Sequence, residues 1–210
     1  MGDPFRMYLA LRRGAVGSLA AAGELAGAAA VACVRRFESE LEYAEAFASW
    51  RPRPGKVCLR ARTSGQWEQL LGEPHALAGD AGGASVAALP PRRRSQRGPL
   101  LERLQAMSGE LEPAPAQAPA AAGALTYLLN PTVAMSSGKT LAQIAHAAVI
   151  AADGGRHEPW VAAGCPGRVL TPSPAAFAAA AAREDLAARV VDAGLTEVAP
   201  GTVTVVALPQ

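Results

Sequence analysis

Two stretches of this chain repeat one plan: MYLALRRGAVGSLAAAGELAGAAAVAC from Met7 and TYLLNPTVAMSSGKTLAQIAHAAVIAA from Thr126. Each is a short apolar segment, a polar break and an alanine-rich helix. Tyr8 aligns with Tyr127, Ser18 with Ser137 and Ala28 with Ala147, at an offset of 119. Alanine-rich helices match by accident, so the helix alone would prove little. The same offset returns about eighty positions later, where SVAALP from Ser85 lines up with TVVALP from Thr204 and Pro90 with Pro209. A spacing shared by helix and strand segments marks two diverged copies of one unit. It predicts residues 1–111 as a first domain and 125–210 as a second. The Pro/Ala-rich run 112–124, EPAPAQAPAAAGA, joins them as an extended, semi-rigid spacer.

The second copy is the more legible. Leu125 to Leu129 reads as a strand stopped by Asn130-Pro131. Ser136 or Ser137 caps a helix that runs to about Ala152 and closes at Asp153-Gly154-Gly155. Arg168 to Leu170 is a short strand, and Ser173 caps a second helix from Pro174 to about Ala188. Arg189 to Asp192 is a third strand, and the turn Ala199 to Thr202 leads into a last strand, Val203 to Leu208. The fold class is therefore α/β, two copies of a β-α-β-α-β-β unit, each a small mixed sheet flanked by helices. In the first copy, Lys56 to Ala61 and Ala84 to Leu89 are the clear strands, and the segments between them align poorly.

Composition narrows the setting. Half of the 210 residues are apolar, compatible with a buried core. Net charge is only +2, but Arg51 to Met107 holds ten Lys/Arg against four acids. That local excess suits a polyanionic partner, or a solvated basic face. Cys33, Cys58 and Cys165 form neither a disulfide framework nor a zinc motif, and the expectation is a cytoplasmic protein. The run Gly14 to Val34 is mostly Ala and Gly with Glu24 near its middle. An acid at that depth costs roughly 2.5–3.5 kcal/mol in a bilayer, so the run reads as a soluble helix and no membrane is expected. Trp50, Trp67 and Trp160 read as packing residues rather than base-stacking platforms.

The sequence SSGKT at Ser136 to Thr140 imitates the end of a phosphate-binding P-loop. That motif needs a glycine five positions before its last one, to let backbone amides wrap the phosphates, and Val133 stands there instead. Asp192, closing a strand, keeps a nucleotide-binding reading open. Helical geometry offers another: Lys139, Gln143 and His146 are spaced i, i+4, i+7 and share an arc of roughly 60°. Leu141, Ile144, Ala145 and Ala148 point away from it. On this helix alone, ordinary amphipathicity is the simpler account. A second cluster, DAGLTEVAPGTVT from Asp192 to Thr204, places an aspartate at a strand end and hydroxyls in a tight Gly/Pro-rich connection. A carboxylate, a hydroxyl and a lysine together can orient water and neutralise developing negative charge.

These two runs resemble the signature of the type 2 peptidyl-tRNA hydrolases. The G-K-x-x-A-Q-x-x-H-A helix is matched by Gly138-Lys139, Ala142-Gln143 and His146-Ala147, and the D-A-G-x-T-x-[VI]-x-P-G-[ST]-x-T run by Asp192 through Thr204. The first copy, including LQAM at Leu104 to Met107, more loosely resembles the N-terminal extension of actinobacterial members. The resemblance implies a four-stranded mixed sheet and hydrolysis of the ester joining peptide to tRNA, with no metal and no cofactor. It makes Lys139, Asp192 and Thr196 the catalytic group, with Gly138, Gln143, His146 and Thr204 binding substrate. At the positions of Lys139, Gln143 and His146 the first copy has Ala20, Glu24 and Gly27, so it lacks the catalytic face. Because members of this family form homodimers, the copies are expected to pack as an internal pseudo-dimer, either monomeric or dimerising further. Arg92, Arg93, Arg94 and Arg97 are then candidate contacts to the tRNA backbone. A tRNA- or protein-binding module without catalysis is the alternative reading.

Overall fold

The computed structural model describes residues 2–79, 83–109, 111–119 and 121–209. In the first half, β1 (Phe5–Arg12) leads into α1 (Leu19–Phe37), α2 (Ala44–Trp50) and β2 (Gly55–Ala61). Next come α3 (Ser64–Leu71), β3 (Ala76–Gly79), β4 (Ser85–Arg93), α4 (Gly98–Arg103) and β5 (Gln105–Ala106). The second half runs β6 (Leu125–Leu129), α5 (Ser137–Asp153), α6 (Glu158–Ala162), β7 (Gly167–Leu170), α7 (Pro174–Ala181), β8 (Ala188–Val191) and β9 (Val203–Leu208).

The sheets have orders β3-β4-β1-β2-β5 and β7-β6-β9-β8. Reversed, the second reads β8-β9-β6-β7 and corresponds strand for strand to β3-β4-β1-β2. In each, the opening strand pairs parallel with one neighbour (β1 with β2, β6 with β7) and antiparallel with the other (β4, β9). Two mixed sheets of one topology, each flanked by helices, are what the duplicated sequence predicts. The first adds β5 to its edge. Its β4 is longer than expected because Pro90 and Pro91 lie beyond the pairing with β3, opposite a register shift at Met7, where a missing N–H is tolerated.

Strand alternation sets the layers. Met7, Leu9 and Leu11 face the central core, while Tyr8 and Ala10 turn outward onto Trp67, Leu70 and Leu101. Likewise Tyr127, Val205 and Ala207 face inward, and Leu128 and Val206 meet Phe177 and Ala180 of α7. The central layer is the pair α1 and α5, packed against each other and against strands of both sheets, so the two halves share one hydrophobic core. Ion pairs tie the C-terminal end of each helix to the opposite half: Arg35 of α1 to Glu158 of α6, and Asp153 of α5 to Arg51, which follows α2. All three tryptophans are buried, and the three cysteines are buried and free.

Local chemistry explains the helix bounds. Ser18 caps α1 by accepting from Ala21 N–H at 3.2 Å, and Ser136, not Ser137, caps α5 by accepting from Lys139 N–H at 3.2 Å. Helix α7 stops at Ala181, seven residues short of the alanine-based expectation. Arg189 reaches back to the Ala181 and Arg183 carbonyls, and Arg183 forks onto Asp185 at 2.7 and 2.6 Å, which turns the chain. The described part of the Pro/Ala segment is tied down at four residues. Glu112 exchanges backbone bonds with Gly17 and Leu19 at the start of α1, Pro115 accepts from Thr171 N–H, and Ala118 and Pro119 accept from Arg168. Among the described residues, no helix is long and apolar enough to cross a membrane.

Candidate active site

The strand β8 ends at Val191, and the chain from Asp192 to Thr202 folds back over the first turns of α5. Gly194, at φ 75°, makes the reversal: its N–H donates to Asp192 Oδ1 at 2.8 Å, and a Cβ there would stand 2.6 Å from the Pro200 ring. Asp192 backbone groups are paired with Thr202 and Gly201, both at 2.9 Å. Glu197 accepts from Ser136 N–H at 2.7 Å and Oγ at 2.8 Å, fastening the loop to the α5 N-terminus.

This closure brings together residues some fifty positions apart. Lys139 Nζ forms an ion pair with Asp192 Oδ2 and donates to Thr196 Oγ1 at 3.1 Å. Gln143 Nε2 donates to the same Asp192 oxygen at 2.6 Å, and Gln143 Oε1 accepts from Thr204 Oγ at 3.1 Å. Burial pushes the Asp192 carboxyl up, but hydrogen bonds from Lys139, Gly194 and Gln143 and the Lys139 charge outweigh it and hold the group below the usual carboxylate range. His146 is driven down to about 3, first by burial and then by the charge of Lys56, with Lys139 adding and Asp192 opposing. Its imidazole is neutral at neutral pH.

Lys139, Gln143, His146, Asp192 and Thr196 line a cavity of about 550 Å³ between the two halves. Its other wall belongs to the first half: Arg6, Arg53, Lys56 and Cys58, with Ala106 and Met107. Gly138 also borders it, where an added Cβ would lie 2.6 Å from the Met107 carbonyl oxygen. That glycine permits the LQAM segment to touch α5. Thr204, in contrast, is fully buried behind Gln143 and does not reach the cavity, so its hydroxyl positions the carboxamide instead of meeting a ligand. The arginine run lies elsewhere. Arg92 pairs with Glu73 and borders a smaller cavity of about 330 Å³, Arg93 stacks on Phe5, Arg94 N–H bonds Asp3, and Arg97 donates to the Leu101 carbonyl. Arg6, Arg53 and Lys56 were not singled out in the sequence, and only the general basic excess of 51–107 hinted at the last two.

No phosphate-wrapping loop precedes Lys139; Pro131 to Met135 form a turn and an irregular connection, and the lysine is spent on a carboxylate. An ammonium, an ionised carboxylate, a carboxamide and a hydroxyl on one wall of a cavity are the groups of a site that acts on a polar bond and meets negative charge as it develops. The residues that supply them lie within 124–209, which match the family Peptidyl-tRNA hydrolase PTH2. The match covers this C-terminal segment, less than half of the chain. No curated protein and no solved structure matches the chain.

Proposed function

We propose that the protein hydrolyses the ester bond between peptide and tRNA, releasing peptide and free tRNA for reuse in translation, with the reaction in the cavity of the second half. The observation that carries this reading is the convergence of Lys139, Asp192, Gln143 and Thr196 within one family-matched segment. A water placed against Asp192 attacks the ester carbonyl. Held ionised, the carboxylate orients that water and receives its proton as the C–O bond forms. Lys139, anchored between Asp192 and Thr196, stabilises the oxyanion. Collapse of the tetrahedral intermediate breaks the bond to the ribose 3′ oxygen, which leaves with a proton. Gln143, locked by Thr204, keeps the aspartate oriented, and neutral His146 lines the substrate's path.

In this reading residues 1–111 are a degenerate copy without catalytic residues, docked as a built-in partner, and 112–124 are the connection. The copy supplies cationic surface to the tRNA backbone. Release of N-acetyl-amino acid from N-acetyl-aminoacyl-tRNA tests the whole. Wild type should turn over, and Lys139→Ala and Asp192→Asn should lose about a hundredfold or more while staying folded. Full activity in either variant would remove the assignment. A folded wild type that binds tRNA without turnover would assign the same site to recognition.

A further inference from the structure

We propose that Lys56, contributed by the N-terminal half, is an anion-binding residue of the catalytic cavity and receives a backbone phosphate at the 3′ end of the nucleic acid. The inference rests on the hydrolase reading for its ligand but on separate geometry for its site. Lys56 lines the cavity with Lys139, yet its Nζ is withdrawn from water and has no hydrogen-bond acceptor. It lies over the face of Trp50, 4.8 Å from the ring centre. The carboxylates nearby are committed elsewhere: Asp192 to Lys139 and Gln143, Glu197 to Ser136, Asp153 to Arg51. Among the lining residues, Arg6, Arg53, Lys56 and Lys139 face only two carboxylates, Asp192 and Glu197.

A desolvated ammonium without a counter-charge is unfavourable in the empty protein and is relieved when an anion arrives. Because Asp192 already occupies Lys139, a phosphate entering from the first half meets Lys56 with Arg6 and Arg53. Burial and then the Arg51 charge lower its titration to about 7, while Asp153 and Cys58 oppose. His146 on α5 feels the Lys56 charge as well. The first half therefore completes the site.

The test uses the full chain and the trinucleotide CpCpA, whose phosphodiesters do not titrate near neutrality. In calorimetric titration, Lys56→Met should weaken binding about tenfold or more, and Lys56→Arg should retain most of it. In hydrolysis of N-acetyl-aminoacyl-tRNA, Lys56→Met should raise KM by a similar factor with kcat changed less than about threefold. Wild-type affinity for CpCpA should also fall as pH rises above 7, a profile that needs no variant. Unchanged affinity in Lys56→Met, no CpCpA binding by wild type, or a flat wild-type profile from pH 6 to 9 would each overturn the proposal. Loss of CpCpA binding in Lys56→Met, with no hydrolysis by the wild type, would keep the anion site and reject the hydrolase.

Discussion

Replacing Lys56 by methionine measures the electrostatic cost of leaving a cation in the inter-half cavity. Burial, with the Arg51 charge, brings this ammonium from its ordinary 10.5 to about 7. At about 1.4 kcal/mol per tenfold change, holding the charged form costs the native state roughly 5 kcal/mol. The contact with Trp50 offsets about 1–2 kcal/mol, so about 3 kcal/mol remains. The native value lies below the unfolded one, so the penalty is complete below pH 7, shrinks as pH rises toward 10.5 and is absent above it. Methionine keeps an apolar stem of similar length and removes the charge. Lys56→Met should therefore be more stable than wild type by about 3 kcal/mol at pH 6, or about 6–12 °C in Tm for a chain of this size. Urea unfolding of both proteins at pH 6 and pH 10 is the assay, with the difference expected to fall toward zero at the higher pH. Equal stability at pH 6, or a gain indifferent to pH, would refute the argument that the ammonium is buried and unpaired.

Other perturbations test the remaining parts. Gly194→Ala forces a side chain onto a left-handed backbone and into Pro200, so the loop carrying Thr196 should shift and kcat fall about tenfold or more, read in the hydrolysis assay. His146 is neutral in the fold but protonates when unfolded. Its contribution is fully present above pH 6.5 and lost as pH falls toward 3, at about 1 kcal/mol per pH unit. Denaturant titrations between pH 6.5 and 4 should show a shallower decline in His146→Gln. Paired reversals Arg6→Glu and Arg53→Glu should weaken tRNA binding and lower its salt dependence more than Arg92→Glu with Arg97→Glu, whose wild-type guanidiniums are held by Glu73 and the Leu101 carbonyl.

What could be read in the sequence was local or repeated. Ser136 and Ser173 announce their helices because a capping hydroxyl acts within three residues. The offset of 119 announces the shared topology because strand order follows the repeat. The short helix α6 is not legible, since five residues carry no periodicity, and the sequence predicts too long an α7 because alanine runs favour helix without specifying an end. In the first half β2 is legible, but α2, α3 and β3 are not, because the segments around it do not follow the offset. Lys139, Gln143 and Asp192 were found through their spacing and motif. Thr204 was assigned to substrate because sequence shows which residues share a motif, not which stands behind another. Lys56 was invisible as a site residue, since its meeting with α5 depends on how two halves dock.

That docking also explains why one half has a cavity where the other has none of the polar groups. The equivalents of Lys139, Gln143 and His146 in α1 are Ala20, Glu24 and Gly27. A Cβ on Gly27 would lie 3.3 Å from the Ala148 Cβ and 3.4 Å from the Tyr127 hydroxyl, and one on Gly23 only 2.6 Å from Ile144 Cδ1 and 3.0 Å from Val169. Gly167 of β7 likewise leaves just enough room for the Tyr127 ring and for α1, with Glu24 Cα 3.7 Å from a Cβ placed there. Helix α1 therefore lies directly against β7 and α5, whereas α5, which packs on β2, leaves beside that contact the space that Lys56 and Lys139 line. In two halves of one topology, the face of α1 is thus used for packing, and the corresponding face of α5 lines a cavity. Gly27→His, which would give α1 the imidazole of α5, has no space to enter. It should cost at least about 1–3 kcal/mol through overpacking and add no activity. A Gly27→His protein with wild-type Tm would show that α1 is not seated on α5 as closely as these distances require, and the account of the one-sided cavity would fall with it.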